Sequence, residues 1–171
     1  MKRALIFMAI GLASIAAFGA TQAQANTYCA ELPADASCDQ NFTGTGTSIQ
    51  AAVEAAADNP GPDSVKVGPG NFVMPSPVSL SSPGDANKLT LTGSGPSTVL
   101  SGDDPQLPDI NFSGGTGSSI NDLTVSISDD ASNEYKVGLA LGAGATGSRL
   151  TFTFASHLVN GDPSPGKKLL A

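Results

Sequence analysis

The sequence predicts an all-β protein in which short strands wind into a parallel solenoid, with one helix near the start. Apolar segments of two to five residues alternate with polar stretches rich in Gly, Ser, Asn, Asp and Pro. They recur with a loose period in the twenties, in one series near residues 66, 90, 111 and 140 and a second near 99, 125 and 152. A β-sandwich is the alternative, but no Asn-Gly or Asp-Gly turn joins two strands between Val65 and Phe154. The solenoid is therefore favoured.

Residues 1–25 have the three parts of a secretory signal peptide. Met1–Arg3 is positively charged, Ala4–Phe18 is almost wholly apolar, and Ala23–Ala25 has the small residues of a cleavage site. The apolar run is shorter than the ~20 residues that a membrane-spanning helix needs. We expect a secreted protein, extracellular or periplasmic, whose mature chain begins at Asn26.

The charge balance excludes one class of partner. The chain has 15 acidic and 8 basic residues, a net charge of −7, and loss of Lys2 and Arg3 makes it more negative still. Such a surface repels phosphate backbones, so nucleic acid is not expected as a partner. No segment after residue 25 is apolar enough to span a membrane.

Residues 26–46 are polar and predict a loop stapled by a disulfide. Cys29 and Cys38 are the only cysteines of the chain. An even number of cysteines in an oxidising compartment indicates a disulfide. A metal site would need more ligands, and the only histidine, His157, is far away in sequence. The sequence therefore assigns no metal site here.

Residues 47–61 form the one segment with helical periodicity. Thr47 and Gln50 fit a capping box, and Asn59–Gly61 is expected to end the helix. The apolar positions recur at i, i+3, i+4 and i+7, and they are Ile49, Ala52, Val53 and Ala56. Because half of this face is alanine, we expect the helix to lie close against a flat surface.

Residues 62–156 carry the strands. The predicted strands are Val65–Val67, Leu89–Leu91, Val99–Leu100, Ile110–Phe112, Leu123–Ile127, Leu139–Leu141 and Leu150–Phe154. They suffice for about three to four coils, close to the minimum of about three repeats for a stable stack. Residues 157–171 predict an irregular tail with no closing helix or strand. The last coil should then present an open edge, which predicts a fragment of a longer protein or self-association through that end.

Two stretches resemble the opening of pectin-lyase-like right-handed β-helix proteins. Ser48–Ala56 (SIQAAVEAA) and Asp63–Phe72 (DSVKVGPGNF) are similar to the start of that family. Leu89–Gly102 (LTLTGSGPSTVLSG) and Ser119–Val125 (SINDLTV) are similar to its following coils. The resemblance implies a right-handed parallel β-helix whose N-terminal end is capped by the helix at 47–61. It implies a fold and says little about activity.

The resemblance also suggests where chemistry would lie. Family enzymes that cleave acidic polysaccharides use carboxylates, often with Ca²⁺, and a basic residue on the outer face of the middle coils. The candidates in this chain are Asp103, Asp104, Asp122, Asp129, Asp130, Lys136, Arg149 and His157. Solvated acids on turns are the alternative, and no EF-hand spacing is present. No cluster of carboxylates with Arg or Lys on adjacent coils is evident, so the catalytic residues stay unknown.

Two functions compete at this point. The first is a non-catalytic surface module that binds carbohydrate or the cell envelope and needs no cofactor. The second is a polysaccharide lyase or glycoside hydrolase that acts on acidic polysaccharide, with Ca²⁺ as the candidate cofactor.

Overall fold

The structure, a computed structural model, shows mostly parallel strands curled into a half-barrel, with one helix packed against it. It describes residues 24–33, 37–44, 46–74, 78–81, 88–102, 110–113, 116–127 and 138–154. Residues 1–23 of the predicted signal peptide and the predicted tail at 157–171 lie outside these ranges.

Eleven strands and one α-helix lie in the described ranges. The strands are β1 (Thr27–Ala30), β2 (Gln40–Phe42), β3 (Asp63–Val67), β4 (Gly70–Met74), β5 (Val78–Ser81), β6 (Leu89–Thr92), β7 (Thr98–Gly102), β8 (Ile110–Ser113), β9 (Ser119–Ile127), β10 (Leu139–Leu141) and β11 (Thr146–Phe154). The helix α1 spans Thr47–Asp58, and a short 3-10 helix at Gly95–Ser97 precedes β7. All seven strands predicted from the sequence are present, and β9 and β11 begin earlier than predicted.

The strands form three rows, and every pairing within a row is parallel. Row A contains β2, β1, β3, β6 and the first parts of β9 and β11. Row B contains β4, β7 and the later parts of β9 and β11. Row C contains β5, β8 and β10. Because β9 and β11 each run through two rows, they join rows A and B into one curled sheet.

The sequence repeat is real, but one of the two predicted series combined different rows. Side-chain hydrogen bonds between neighbouring strands, or between the turns that follow or precede them, join residues 27 to 30 positions apart. The series near 99, 125 and 152 is row B. In the other series, residues 66 and 90 lie in row A, whereas residues 111 and 140 lie in row C. The two rows were combined because the sequence analysis missed β5, in row C, and the early part of β9, in row A.

The core is built from columns of inward side chains stacked by the register. In row A, Val65 pairs with Leu91 and Leu91 with Ile120, and all three are fully buried. In row B, Leu100 pairs with Val125, and both are again fully buried. Burying one such side chain contributes about 1.5–3 kcal/mol, so each column stabilises the fold by several kcal/mol before the conformational-entropy cost.

Helix α1 covers one end of the curled sheet, and the face that its apolar periodicity predicts is the buried one. Its residues Ile49, Ala52, Val53 and Ala56 are at most 2% exposed and belong to the main core cluster. The helix packs on β1, β3 and β5, and more lightly on β2 and β6. The helix ends at Asp58 and Asn59 is already extended, which confirms the prediction that the helix ends at Asn59–Gly61. Since alanine projects little from the helix surface, the helix lies close to the strands.

The predicted capping box is wrong. The N-cap is Gly46, with φ of 74°, and no side chain caps the helix. Thr47 lies one position further on and donates its hydroxyl to the Gly44 carbonyl oxygen at 2.9 Å. The Gln50 amide donates to Glu54 at 2.8 Å instead of turning back. Gly46 therefore occupies the N-cap position that the sequence pattern assigned to Thr47, and its positive φ turns the chain into the helix.

The prediction of a loop over 26–46 is wrong in part, because this segment contains β1 and β2. Both strands are short: β1 is aligned by β3, with Tyr28 opposite Val65, and β2 pairs with the other side of β1. The predicted disulfide is confirmed, since Cys29 and Cys38 are joined with their Cα atoms 5.9 Å apart. It ties β1 to the turn that leads into β2. Within the described part of the chain, no helix is long and apolar enough to cross a membrane.

Candidate functional site

The outer surface of row A carries two columns of short polar side chains. Alternate residues of a strand point to opposite faces, so the neighbours of the buried Val65, Leu91 and Ile120 point outward. The outward side chains are Ser64, Thr90, Ser119 and Thr146 in the first column, and Lys66, Thr92, Asn121 and Ser148 in the second. All eight are half-buried or exposed. We call this surface the polar face.

Hydrogen bonds between side chains hold part of the polar face in place. Ser148 Oγ donates to Asn121 Oδ1 at 2.7 Å, and Asn121 Nδ2 donates to Ser119 Oγ at 3.0 Å. Neighbouring strands lie about 4.8 Å apart and outward residues along one strand about 6.6 Å apart. The result is a regular array of hydroxyl and amide groups in which Lys66 is the single charged side chain.

A depression of about 240 Å³ lies at one border of the polar face. It is lined by Leu32, Ser64, Lys66, Val67, Thr92, Gly93 and Ser94. The Lys66 ammonium group is 3.5 Å from Ser37 Oγ. Leu32 therefore lies beside hydroxyl groups and one ammonium group, whereas the Val67 side chain is buried in the core.

Gly93 keeps the border of this depression compact. A Cβ atom there would stand 2.4 Å from the carbonyl oxygen of Asp122 on the neighbouring strand. The backbones approach each other at this corner, where Gly93 N donates to Asn121 O at 3.0 Å. A side chain at this position would push the neighbouring strand away, so the shape of the depression depends on glycine.

Asp122 and Arg149 form an ion pair on adjacent strands at the corner between rows A and B. Arg149 Nε donates to Asp122 Oδ1 at 2.5 Å and Nη2 donates to Oδ2 at 2.7 Å. Both residues have positive φ, 55° and 51°, so the two corners stack in the same conformation. The sequence analysis named both residues as candidates but did not pair them, and the structure brings this one acid and one base together on adjacent strands.

The electrostatics of this pair are those of a structural contact. The hydrogen bond from Arg149 lowers the pKa of Asp122 below its ordinary value, and the same bond raises the pKa of Arg149. Asp122 is therefore ionised throughout the neutral range and poorly suited to donate a proton. The Arg149 side chain is 69% exposed, so water screens the attraction.

The remaining predicted site residues lie outside the described part of the chain. These are Asp103, Asp104, Asp129, Asp130, Lys136 and His157. Across the described ranges, no group of three or more His, Cys, Asp or Glu side chains is placed to hold a metal ion. The structure therefore leaves the suggested acidic site as a sequence-based expectation.

The sequence analysis missed the polar face, although its signal is in the chain. The signal is a polar residue at i and i+2 around an apolar one, as in Thr90-Leu91-Thr92 and Ser119-Ile120-Asn121. The pattern becomes informative only when its copies are aligned at the strand register. The sequence analysis could not align these copies, because one of its strand series combined strands of row A with strands of row C.

No protein-family model, curated protein or solved structure matches the chain. The resemblance to pectin-lyase-like proteins therefore rests on the motifs of residues 48–72 and 89–125 alone. What the polar face does has to be argued from its own chemistry.

Proposed function

We propose that the chain is a secreted, non-catalytic module that binds a glycan of the cell envelope or its surroundings through the polar face. The observation that carries this proposal is the double column of outward hydroxyl and amide groups beside the depression at Lys66. A glycan offers hydroxyl groups as both donors and acceptors, and the face presents the same two functions in return.

The proposal includes the fold that presents the face, a right-handed parallel β-helix of the pectin-lyase-like type. Three rows of parallel strands support it, as do side-chain hydrogen bonds between residues 27 to 30 positions apart at and beside those strands. So does α1, which covers one end of the curled sheet. Stacked coils make a flat surface whose polar groups repeat at the strand spacing, which suits an extended ligand that crosses several strands.

The charge of the chain favours a neutral glycan. The whole chain has a net charge of −7, which repels a polyanion such as a polyuronate. Lys66 is the one charged residue among those lining the depression. It can donate hydrogen bonds to ring or hydroxyl oxygens without a negative charge on the ligand.

Binding is tested by affinity electrophoresis and by sedimentation with a panel of neutral glucans, mannans, chitin and uronate polymers. Thr90→Glu places a charged, bulky group in the first column and should weaken retention about tenfold, equivalent to ~1.4 kcal/mol. The matched control is Asn71→Glu, on the exposed outer side of row B. Equal retention of both variants, or no retention by any polymer, would contradict the proposal.

A polysaccharide lyase or hydrolase is the second candidate, favoured by the stacked Asp122–Arg149 pair. However, the pair contains a single carboxylate, and the pKa of Asp122 is lowered, so the pair fits a structural role better than proton transfer. Incubation with pectate, alginate and other uronate polymers, with and without Ca²⁺, distinguishes the two functions. Clear turnover that disappears in Arg149→Gln would replace the binding proposal.

Secretion is part of the same proposal and is supported by the signal-peptide pattern and by the Cys29–Cys38 disulfide. Intact-mass analysis of protein recovered outside the cytoplasm should show a chain that begins at Asn26. Retention of residues 1–25 in that material would contradict it.

A further inference from the structure

Asp63, the first residue of β3, is a buried carboxylate held by neutral donors. Its side chain is 2% exposed. Oδ1 accepts a hydrogen bond from the backbone nitrogen of Asn26 at 2.7 Å and another from Asn59 Nδ2 at 3.0 Å. Oδ2 accepts from the same amide at 3.1 Å. No basic side chain of the described residues pairs with it. A buried carboxylate is costly unless a positive charge lies nearby, so this arrangement is incomplete.

Cleavage of the signal peptide would create a positive charge at the atom that already contacts Asp63. The predicted signal-peptide cleavage site is the Ala25–Asn26 bond, and its nitrogen is the atom that contacts Asp63. In hydrolysis, water supplies a hydroxyl group to the Ala25 carbonyl carbon and a proton to the Asn26 nitrogen. The new amine, with an ordinary pKa near ~8, then takes up a second proton at neutral pH. A neutral N–H becomes an ammonium group at the same place.

We propose that Asp63 is a built receptor for the α-ammonium group of Asn26, and that removal of the signal peptide stabilises the folded chain by completing a buried ion pair. This inference rests on the signal-peptide prediction and is independent of glycan binding.

The position of the Asn26 nitrogen does not depend on the leader that precedes it. Ser64 N donates to the Asn26 carbonyl oxygen at 2.9 Å, which anchors Asn26 to the start of β3. Thr27 N donates to Asp39 Oδ2 at 2.7 Å, which anchors the next residue. Gln24 and Ala25 are exposed. The new N-terminus therefore stays in contact with Asp63 after the leader is cut away.

Asn59 is placed to adjust to the change. In the uncleaved chain its amide nitrogen also donates to the Gln24 carbonyl oxygen at 2.9 Å. Cleavage removes that acceptor and leaves both carboxylate oxygens of Asp63 as the partners of the amide. The receptor thus consists of one carboxylate for the ammonium group and one amide that orients the carboxylate.

Two stabilising bonds at and just before β1 would then form only after export. The Cys29–Cys38 disulfide needs an oxidising compartment, and the Asn26–Asp63 ion pair needs signal peptidase. The cytoplasmic precursor has neither bond. A precursor that folds weakly before export and a mature chain that folds strongly afterwards is the expected outcome.

The first experiment compares three oxidised chains that all keep Asp63, each made by scarless removal of a fusion partner. One begins at Asn26 with a free amine, one begins at Asn26 with an acetyl cap, and one begins at Ala25. The acetyl cap keeps the N–H but removes the charge, and the Ala25 start moves the charge one residue outward. The free Asn26 chain should unfold at clearly higher urea than both others at pH 6.

The pH dependence identifies the charge. A buried carboxylate raises the amine pKa in the folded chain above its unfolded value of about 7.7–8.0. The extra stability of the free Asn26 chain is therefore fully present below that range, and it is lost as the pH rises through the raised value. Equal urea midpoints for the three chains at pH 6, or a difference that does not change up to pH 10, would overturn the proposal.

Amine reactivity gives a second readout that does not depend on stability. At pH 7 the Asn26 amine should react with an acylating reagent about tenfold more slowly than the Ala25 amine, because each unit of pKa changes the free-amine fraction tenfold. In Asp63→Asn the rates should become equal. If Asp63→Asn does not fold, the comparison of the Asn26 and Ala25 chains still decides, and equal rates there contradict the ion pair.

Discussion

The two ends of the curled sheet share one register but differ in what covers them. At the first end, α1 lies over β1, β3 and β5, and its side chains Ile49 and Val53 are at most 1% exposed. At the other end, Phe152 of β11 stacks on the fully buried Val125 and is nevertheless 46% exposed. The register decides which side of the sheet a residue faces. Burial requires a further covering element, and in the described ranges only the first end has one.

The largest expected effect is a charge placed under the helix. Ala52→Glu should lower the free energy of unfolding by about 3 kcal/mol or more, since Ala52 is fully buried and the carboxylate would have neither space nor a partner. Ala51→Glu, at a half-buried position of the same helix, is the control and should cost much less. Urea unfolding followed by circular dichroism measures both. An unchanged melting temperature for Ala52→Glu would mean that α1 does not cover this end.

Removal of the disulfide should have the next largest effect on the covered end. Replacing Cys29 and Cys38 together by alanine should lower the free energy of unfolding by about 2.5 kcal/mol, because a loop with a sequence separation of 9 loses its crosslink. Non-reducing peptide mapping of the native chain should find the two cysteines joined. Free thiols in protein recovered outside the cytoplasm, or equal stability of the double variant, would contradict this prediction.

At the uncovered end, the matching substitution should change association more than stability. Phe152→Ser should cost less than about 1 kcal/mol, because much of the ring is already exposed. Exposed strand edges with apolar side chains pair with other chains, so the unmodified protein should self-associate and the variant should associate less. Light scattering compares them, with Val73→Ser, on the outer side of row B, as the control. A monodisperse monomer at all concentrations would show that this end does not act as an interface.

The smallest expected effect concerns the Asp122–Arg149 ion pair, which lies nearer the uncovered end of the sheet. Asp122 has its pKa lowered by Arg149, so its stabilising contribution is present above the ordinary carboxyl value of 3.8. That contribution is lost as the pH falls through the lowered pKa. The urea midpoint should therefore be slightly higher than that of Arg149→Gln at pH 7, and the difference should disappear at the acidic limit. A difference that persists there would assign the effect to packing of the Arg149 side chain.

Prediction from the sequence succeeded where the pattern is local. The periodicity of Ile49, Ala52, Val53 and Ala56 defined the helix and its buried face, and seven strands followed from short alternating segments. It failed for β1 and β2, which lie in a polar segment without periodicity, and for β4 and β5, which directly follow proline or begin with glycine. Their extended conformation is stabilised by pairing with strands distant in sequence. The polar face was missed for the same reason, since its columns exist only after the strands are aligned.

The sequence by itself determined the elements with strong periodicity and the disulfide between its two cysteines, because each depends on neighbouring residues or on a small set of candidates. Only the tertiary structure decided the contacts between residues about 27 positions apart. Gly68 shows the difference, since the sequence indicates a turn at Gly68-Pro69-Gly70, whereas a Cβ on Gly68 would stand 2.0 Å from the Glu31 carbonyl oxygen. Asp63 shows it again, since its burial beside the Asn26 nitrogen depends on β1 pairing with β3. Parallel pairing brings distant residues together, and no local pattern encodes which ones meet.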